Sequence, residues 1–224
     1  MPYSAHCEGN WGLLTDYPPK HYQYSPYPKI GMALSAKNIA TPMTELPPAS
    51  SEKNELLSFI TAEFIQLEKE AISEQVQKEG ILDDRLKYEG HPVFETERNK
   101  IEIILGTVYR TYLAKNGQYI YYLEAKREYR KPKAFTDSEC PGITFFKCFL
   151  KKQNGKFSFL DRDLVITDCD WKYAITILPF GIIKVGNKNV IVIQKNYYES
   201  ESYHLLELGS SNLRNVISLH GGGC

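Results

Sequence analysis

Residues 174–200 read AITILPFGIIKVGNKNVIVIQKNYYES. Two apolar runs flank Gly186-Asn187. A glycine in a two-residue connection accepts the positive φ that lets right-twisted strands reverse, so this stretch reads as a β-hairpin. Val190, Ile191, Val192 and Ile193 are apolar without a break. A strand of that kind is covered on both faces, because an open face would show polar residues at every second position.

The same pattern occurs twice upstream. IEIILGTVYRTYLA (101–114) meets KNGQ and continues as YIYYLEAKREY (119–129), and TFFKCFLKK (144–152) meets QNGK and continues as FSFL (157–160). Asn116-Gly117 and Asn154-Gly155 are strong hairpin signals, since both residues tolerate positive φ. Successive hairpins predict an antiparallel meander of about six to eight strands.

Before the strands the period changes. Leu57, Ile60, Phe64, Leu67 and Ala71 recur at steps of three and four, which predicts one amphipathic helix over residues 51–79. Ser50 or Ser51 serves as N-cap, Glu52 and Glu55 suit the positive end of the helix dipole, and Gly80 stops the helix. One helix covers only part of one sheet face. The fold expected is therefore α+β: one long amphipathic helix packed on a curled antiparallel β-meander, barrel- or sandwich-like, with an extended N-terminal arm.

The arm is residues 1–50. DYPPKHYQYSPYPK (16–29) interleaves prolines and tyrosines, and TPMTELPPAS (41–50) is a second proline-rich segment. Proline fixes φ and lacks a donor, so an extended, irregular course is expected, with Tyr22 and Tyr24 available for contact. Residues 51–208 read as a single α+β domain. Residues 209–224, which close with HGGGC, read as a flexible tail. HGGG resembles the oxyanion-hole run of some esterases, but the G-x-S-x-G elbow those enzymes need does not occur.

Composition narrows the function. The 224 residues carry 27 Lys plus Arg and 27 Asp plus Glu, a net charge of zero, which argues against a non-specific nucleic-acid binder. No apolar run approaches the ~20 residues that span a bilayer. The first residues lack a basic and then apolar leader, so a cytoplasmic location is the default, with export through a signal upstream of this chain as the alternative. The five cysteines include Cys140 and Cys148, which could close a short loop in an oxidising compartment. Metal-binding Cys-x-x-Cys spacing and phosphate-binding glycine patterns do not occur, and neither a metal nor a cofactor is expected.

Three stretches bear on chemistry. YYESESYH (197–204) holds Glu199 and Glu201 among tyrosines. Continued as a strand, it puts Tyr197, Glu199, Glu201 and Tyr203 on one face, with Ser202 and His204 on the other. The two carboxylates would stand about 6.6 Å apart, near glycosidase spacing, yet parallel rather than converging. DRDLVITDCDW (161–171) holds the pairs Asp161/Asp163 and Asp168/Asp170, read as loop acids rather than a cation site. EAKREYRKPK (124–133) gathers Lys126, Arg127, Arg130, Lys131 and Lys133 around Tyr129, read as a solvated strand end, with single-stranded nucleic acid as the sharper alternative.

The balance favours a non-enzymatic protein whose partner is another protein, contacted through Tyr197, Tyr203, Tyr22 and Tyr24. An inhibitor or immunity-type protein is one version of it. The alternative is a hydrolase acting on a carbohydrate-like or phosphate-containing substrate through Glu199 and Glu201.

Overall fold

A computed structural model describes residues 41–79, 94–113, 117–129, 142–167, 174–197 and 200–223. The fold is α+β and dominated by antiparallel sheet, as expected. Its strands are β1 (Thr41–Pro42), β2 (Thr44–Glu45), β3 (Ile104–Leu113), β4 (Gln118–Tyr129), β5 (Gly142–Gln153), β6 (Lys156–Thr167), β7 (Thr176–Val185), β8 (Lys188–Asn196), β9 (Ser200–Leu208) and β10 (Leu213–Gly223). The helices are α1 (Ser51–Glu79) and the single turn α2 (Glu95–Arg98). The strands form two five-stranded sheets, ordered β1-β7-β8-β9-β10 and β2-β3-β4-β5-β6. Within each sheet, long strands consecutive in sequence are neighbours, which is the meander the hairpins predicted.

The described residues group into two compact units: one holds those within 41–44, 111–118 and 175–223, the other those within 45–110 and 119–174.

Turn chemistry fixes the hairpins. Asn154 and Gly155 both take positive φ, 52° and 76°, the backbone of a type I′ turn between β5 and β6. Between β7 and β8 only Gly186 does, at 62°, which suits a type II′ turn with glycine first. Gly117 has φ 59° before β4, while Asn116 lies outside the described residues.

In the second unit, α1 covers one face of sheet β2–β6. Leu56, Ile60 and Phe64 pack with Val108, Tyr121, Leu123, Ala125, Phe146, Cys148 and Leu150. Burying each large apolar side chain contributes about 1.5–3 kcal/mol. Leu57 and Leu67 only flank this core, because the buried stripe advances by fours: Leu56, Ile60, Phe64, Glu68, Ile72. The N-terminal turn of the helix is tied down as well. Glu52 accepts from Arg110 Nη1 at 2.6 Å and from the Tyr121 hydroxyl at 2.5 Å.

The stripe of α1 includes a charge. Glu68 is 0% exposed, and Arg127, at 2%, donates to its Oε2 from Nη1. The Tyr129 hydroxyl donates to Oε1, Arg98 Nε lies 3.4 Å from Oε2, and Thr144 Oγ1 donates to the Tyr129 oxygen at 3.3 Å. Strand alternation explains why Arg127 is inside. Tyr121, Leu123, Ala125, Arg127 and Tyr129 are buried at every second position of β4, and Lys126 between them pairs outside with Glu128. Burial and the Glu68 carboxylate together push the Tyr129 hydroxyl well up from its ordinary value.

The basic run 124–133 is therefore not one surface patch. Arg127 is a core residue, Lys126 is paired, and Arg130, Lys131 and Lys133 lie outside the described residues. Cys148 is a free, buried thiol on β5, and burial pushes it well up from the usual thiol range. Cys140, which could close a loop with it in an oxidising compartment, lies outside the described residues.

In the first unit, β7 and β8 pair from Thr176↔Asn196 to Val185↔Lys188, with a bulge between Pro179 and Gly181 where proline withholds a ladder donor. β8 and β9 pair from Val190↔Glu207 to Asn196↔Glu201. Two parts of the chain depart from expectation. Residues 41–45, assigned to the arm, supply β1 on β7 and β2 in the other sheet. Residues 213–223, assigned to a flexible tail, form β10 on β9. The turn before β10 is held by Gly209 N–H donating to Asn212 O at 2.9 Å. A Cβ on Gly209 would stand 2.9 Å from the Asn212 backbone oxygen, so any larger residue would force the turn to shift. Residues 1–40, with Tyr22 and Tyr24, lie outside the described residues.

Candidate functional site

The stretch 197–204 is a turn and then a strand. β8 stops at Asn196, Tyr197 N–H donates to Ser200 O at 2.8 Å, and β9 starts at Ser200. Tyr198 and Glu199 lie outside the described residues, so the expected Glu199/Glu201 pair is described only at Glu201.

Glu201 is engaged at both oxygens. Gln194 Nε2 donates to Oε2 at 2.6 Å, and the Tyr203 hydroxyl donates to Oε1 at 3.1 Å. Gln194 Nε2 also donates to Asn196 Oδ1 at 2.8 Å. Register puts these four side chains on one face, since Gln194 stands opposite Tyr203 and Asn196 opposite Glu201.

Tyr197 does not join them. Because it sits in the turn, its hydroxyl comes within 3.5 Å of Ser202 Oγ, and Ser202 points to the face opposite Tyr203. The single strand expected to present Tyr197 beside Tyr203 is interrupted.

The opposite face holds the histidine. Ser202 Oγ is 2.7 Å from His204 Nε2, and Ser218 Oγ on β10 is 3.0 Å from His204 Nδ1. Asn215 Nδ2 donates to Ser218 Oγ at 2.7 Å. Burial first, then the Lys195 cation and His220, hold His204 below its ordinary value, although hydrogen bonding to Asn215 opposes them. Each ring nitrogen is thus engaged by a serine hydroxyl, Nε2 by Ser202 and Nδ1 by Ser218. That is the connectivity of a nucleophile, a base and an orienting group. Ser202 is only 1% exposed, however, so its hydroxyl is closed off from a substrate. The arrangement works as a polar tie between β9 and β10. Sequence reasoning placed Ser202 and His204 on a common face but not Ser218, whose strand it took for a tail.

The outer strand carries two exposed apolar groups. β10 is last in its sheet, and among the described residues no strand pairs with its far edge. Val216 is 51% exposed and Ile217 39%, at a bulge between Asn215 and Ile217. Arg214 faces Glu207, which also pairs with Lys188 Nζ at 2.9 Å; those two cations hold the Glu207 carboxyl below the usual range. Tyr197 is also exposed, in the turn beside Ser202, the residue that His220 of β10 opposes.

The acidic pairs offer no cation site among the described residues. Asp163 bonds Lys147 across β5–β6 at 3.0 Å, Asp168 and Asp170 are not described, and no group of three or more His, Cys, Asp or Glu side chains converges. No helix among them is long and apolar enough to cross a membrane. No family model, no curated protein and no solved structure matches the chain.

Proposed function

We propose that this is a non-enzymatic binding protein that takes an extended segment of another protein along the outer edge of β10. The carrying observation is that edge: a strand paired on one side by β9, with Val216 and Ile217 exposed on it. An unpaired strand edge presents a row of N–H and C=O groups, and alternate side chains add specificity, which is how β-augmentation works. Exposed apolar side chains on such an edge are a liability unless a partner covers them. The expected contact through Tyr197 fits at the neighbouring turn, whereas Tyr203 is engaged with Glu201.

The partner is a different chain rather than a second copy. Two β10 strands paired antiparallel about Ile217 would set Arg214 against His220, a side chain that offers the guanidinium no acid. An apolar segment with an acid at that position avoids this.

The test captures partners from native extract with the wild-type chain and with Val216→Lys/Ile217→Lys. Bound proteins are then mapped by amide exchange. The expected result is a stoichiometric partner that protects residues 213–220 and is lost in the variant. A partner retained by the variant, or protection confined to other strands, refutes the edge. Concentration-dependent self-association lost in the same variant would replace the foreign partner with a second copy.

A further inference from the structure

His204 lies buried in the sheet that carries β10. It is 7% exposed and stands opposite Ile193 of β8 on one side and Ser218 of β10 on the other. Its ring nitrogens meet Ser202 Oγ on its own strand and Ser218 Oγ on β10. Asn215 of β10 hydrogen-bonds to His204 as well and gives Nδ2 to the Ser218 oxygen. The outer strand is thus tied by its side chains to a group that changes charge near neutral pH.

A neutral imidazole suits this place and an imidazolium does not. The basic groups that act on it are Lys195 of β8 and His220 of β10, which flank Ser202 from either side, two residues along β9. No carboxylate among the described residues acts on it. Glu201 and Glu207 occupy the alternate positions of β9, where Gln194 and Tyr203 engage the first and Lys188 and Arg214 the second. Serine hydroxyls can turn to accept from both ring N–H groups, so hydrogen bonding is not what fails. Charge is what fails: the added cation would be buried beside two basic neighbours with no anion to compensate it.

The smallest opening that wets such a charge is release of β10. β9 is paired on both sides, whereas among the described residues β10 is paired on β9 alone. Its ladder also shifts register between Asn215 and Ile217 and again between His220 and Gly223. Release brings water to the imidazole and carries His220 away from it. Local openings of this kind lie below the free energy of global unfolding.

We infer that His204 is a pH-sensitive latch: its protonation releases β10 from β9 while β8 and β9 stay paired. The latch belongs to the free chain and is tested there without a partner. Its consequence for a bound segment, loss of the edge at acid pH, rests on the reading of that edge, and either assignment can fail without the other.

The test is amide exchange of the full chain from pH 7.5 to 5, with each rate divided by the intrinsic rate at that pH. An imidazole NMR titration of the same protein gives the folded pKa of His204. The amides of residues 213–220 that pair with β9 are expected to lose protection on acidification, by about tenfold for every unit that this value lies below the unfolded one, while the amides of β8 keep theirs. His204→Gln keeps a hydrogen-bonding side chain that does not titrate, and should hold the protection of β10 constant over the range. Protection of β10 that is unchanged from pH 7.5 to 5 in the wild-type chain overturns the latch. So does a loss shared equally by β8, or the same loss in a folded His204→Gln chain. The first two outcomes need no substitution and stand even where the variant fails to fold.

Discussion

Arg127→Met tests the polar centre of the second unit. Methionine keeps a long apolar stem against Phe64 and deletes the guanidinium that lies 5.3 Å from that ring. Glu68, with no exposed surface, then loses its hydrogen bond from Nη1 and keeps only the Tyr129 hydroxyl and Arg98 at 3.4 Å. Breaking a buried ion pair from one side costs about 3–5 kcal/mol, mostly because the remaining charge is left without compensation. The surviving partners of Glu68 place this case near the lower end, about 3 kcal/mol. For a chain of this size, that loss lowers Tm by roughly 6–12 °C. Urea titration followed by circular dichroism reads it directly. Arg127→Lys should lie between wild type and Arg127→Met, since it restores a charge without the planar fork. Glu68→Leu in the Arg127→Met background should recover part of the loss, because it removes the stranded carboxylate. A loss below about 1 kcal/mol for Arg127→Met, or no recovery in the double variant, would refute the reasoning.

Three further outcomes follow from the same geometry. His204 is held below its ordinary value when folded and titrates near 6.5 when unfolded, so the unfolded chain binds the proton more readily and stability falls as pH drops from about 6.5 through the lower folded value. Lys195 and His220 face it, and His204→Gln should flatten the decline between pH 7 and 5; superimposable wild-type and variant profiles would contradict this. Cys148, buried with its thiol pushed up, should be alkylated far more slowly by iodoacetamide at pH 8 in the folded protein than in urea, read by peptide mass mapping; equal labelling in the two would show that β5 is not buried as described. Gly155→Ala should cost about 1–2 kcal/mol because φ is 76° with nothing near the missing Cβ, whereas Asn187→Ala should change stability by less than about 0.5 kcal/mol, since only Gly186 in that turn has positive φ; equal costs in the two melts would refute the turn assignment.

The hairpins were legible because their signal is local. Asn154-Gly155 and Gly186-Asn187 state a backbone conformation, and the strands on either side follow from it. The helix was legible from its period, and α1 occupies the expected 51–79. Glu68 was not, because a single acid on an apolar stripe looks like a break in the pattern, and only the partners from β4 and α2 make its burial affordable. Arg127 was hidden in a run of charges for the complementary reason: alternation sends it inward while Lys126 and Glu128 stay out.

β10 was missed because its turn, Gly209 to Asn212, carries no two-residue hairpin signature and the glycines at 221–223 resemble a tail. That error had consequences for the site. Without β10, Ser218 could not be placed against His204, and the outer edge of the sheet could not be recognised. The expected tyrosine face at 197–204 failed for a related reason. A turn at Tyr197–Ser200 interrupts the alternation, so residues two apart in sequence no longer share a face.

Amide hydrogen exchange along residues 213–220, without and then with the captured partner, tests the central claim most directly. In the free chain, the amides that pair with β9 should be protected and the alternate, outward amides should exchange fast. With partner bound, the outward amides should become protected, and Val216→Lys/Ile217→Lys should abolish that change. Outward amides already protected in the free chain, or unchanged by a partner that is demonstrably bound, would contradict the β10 edge as the binding surface.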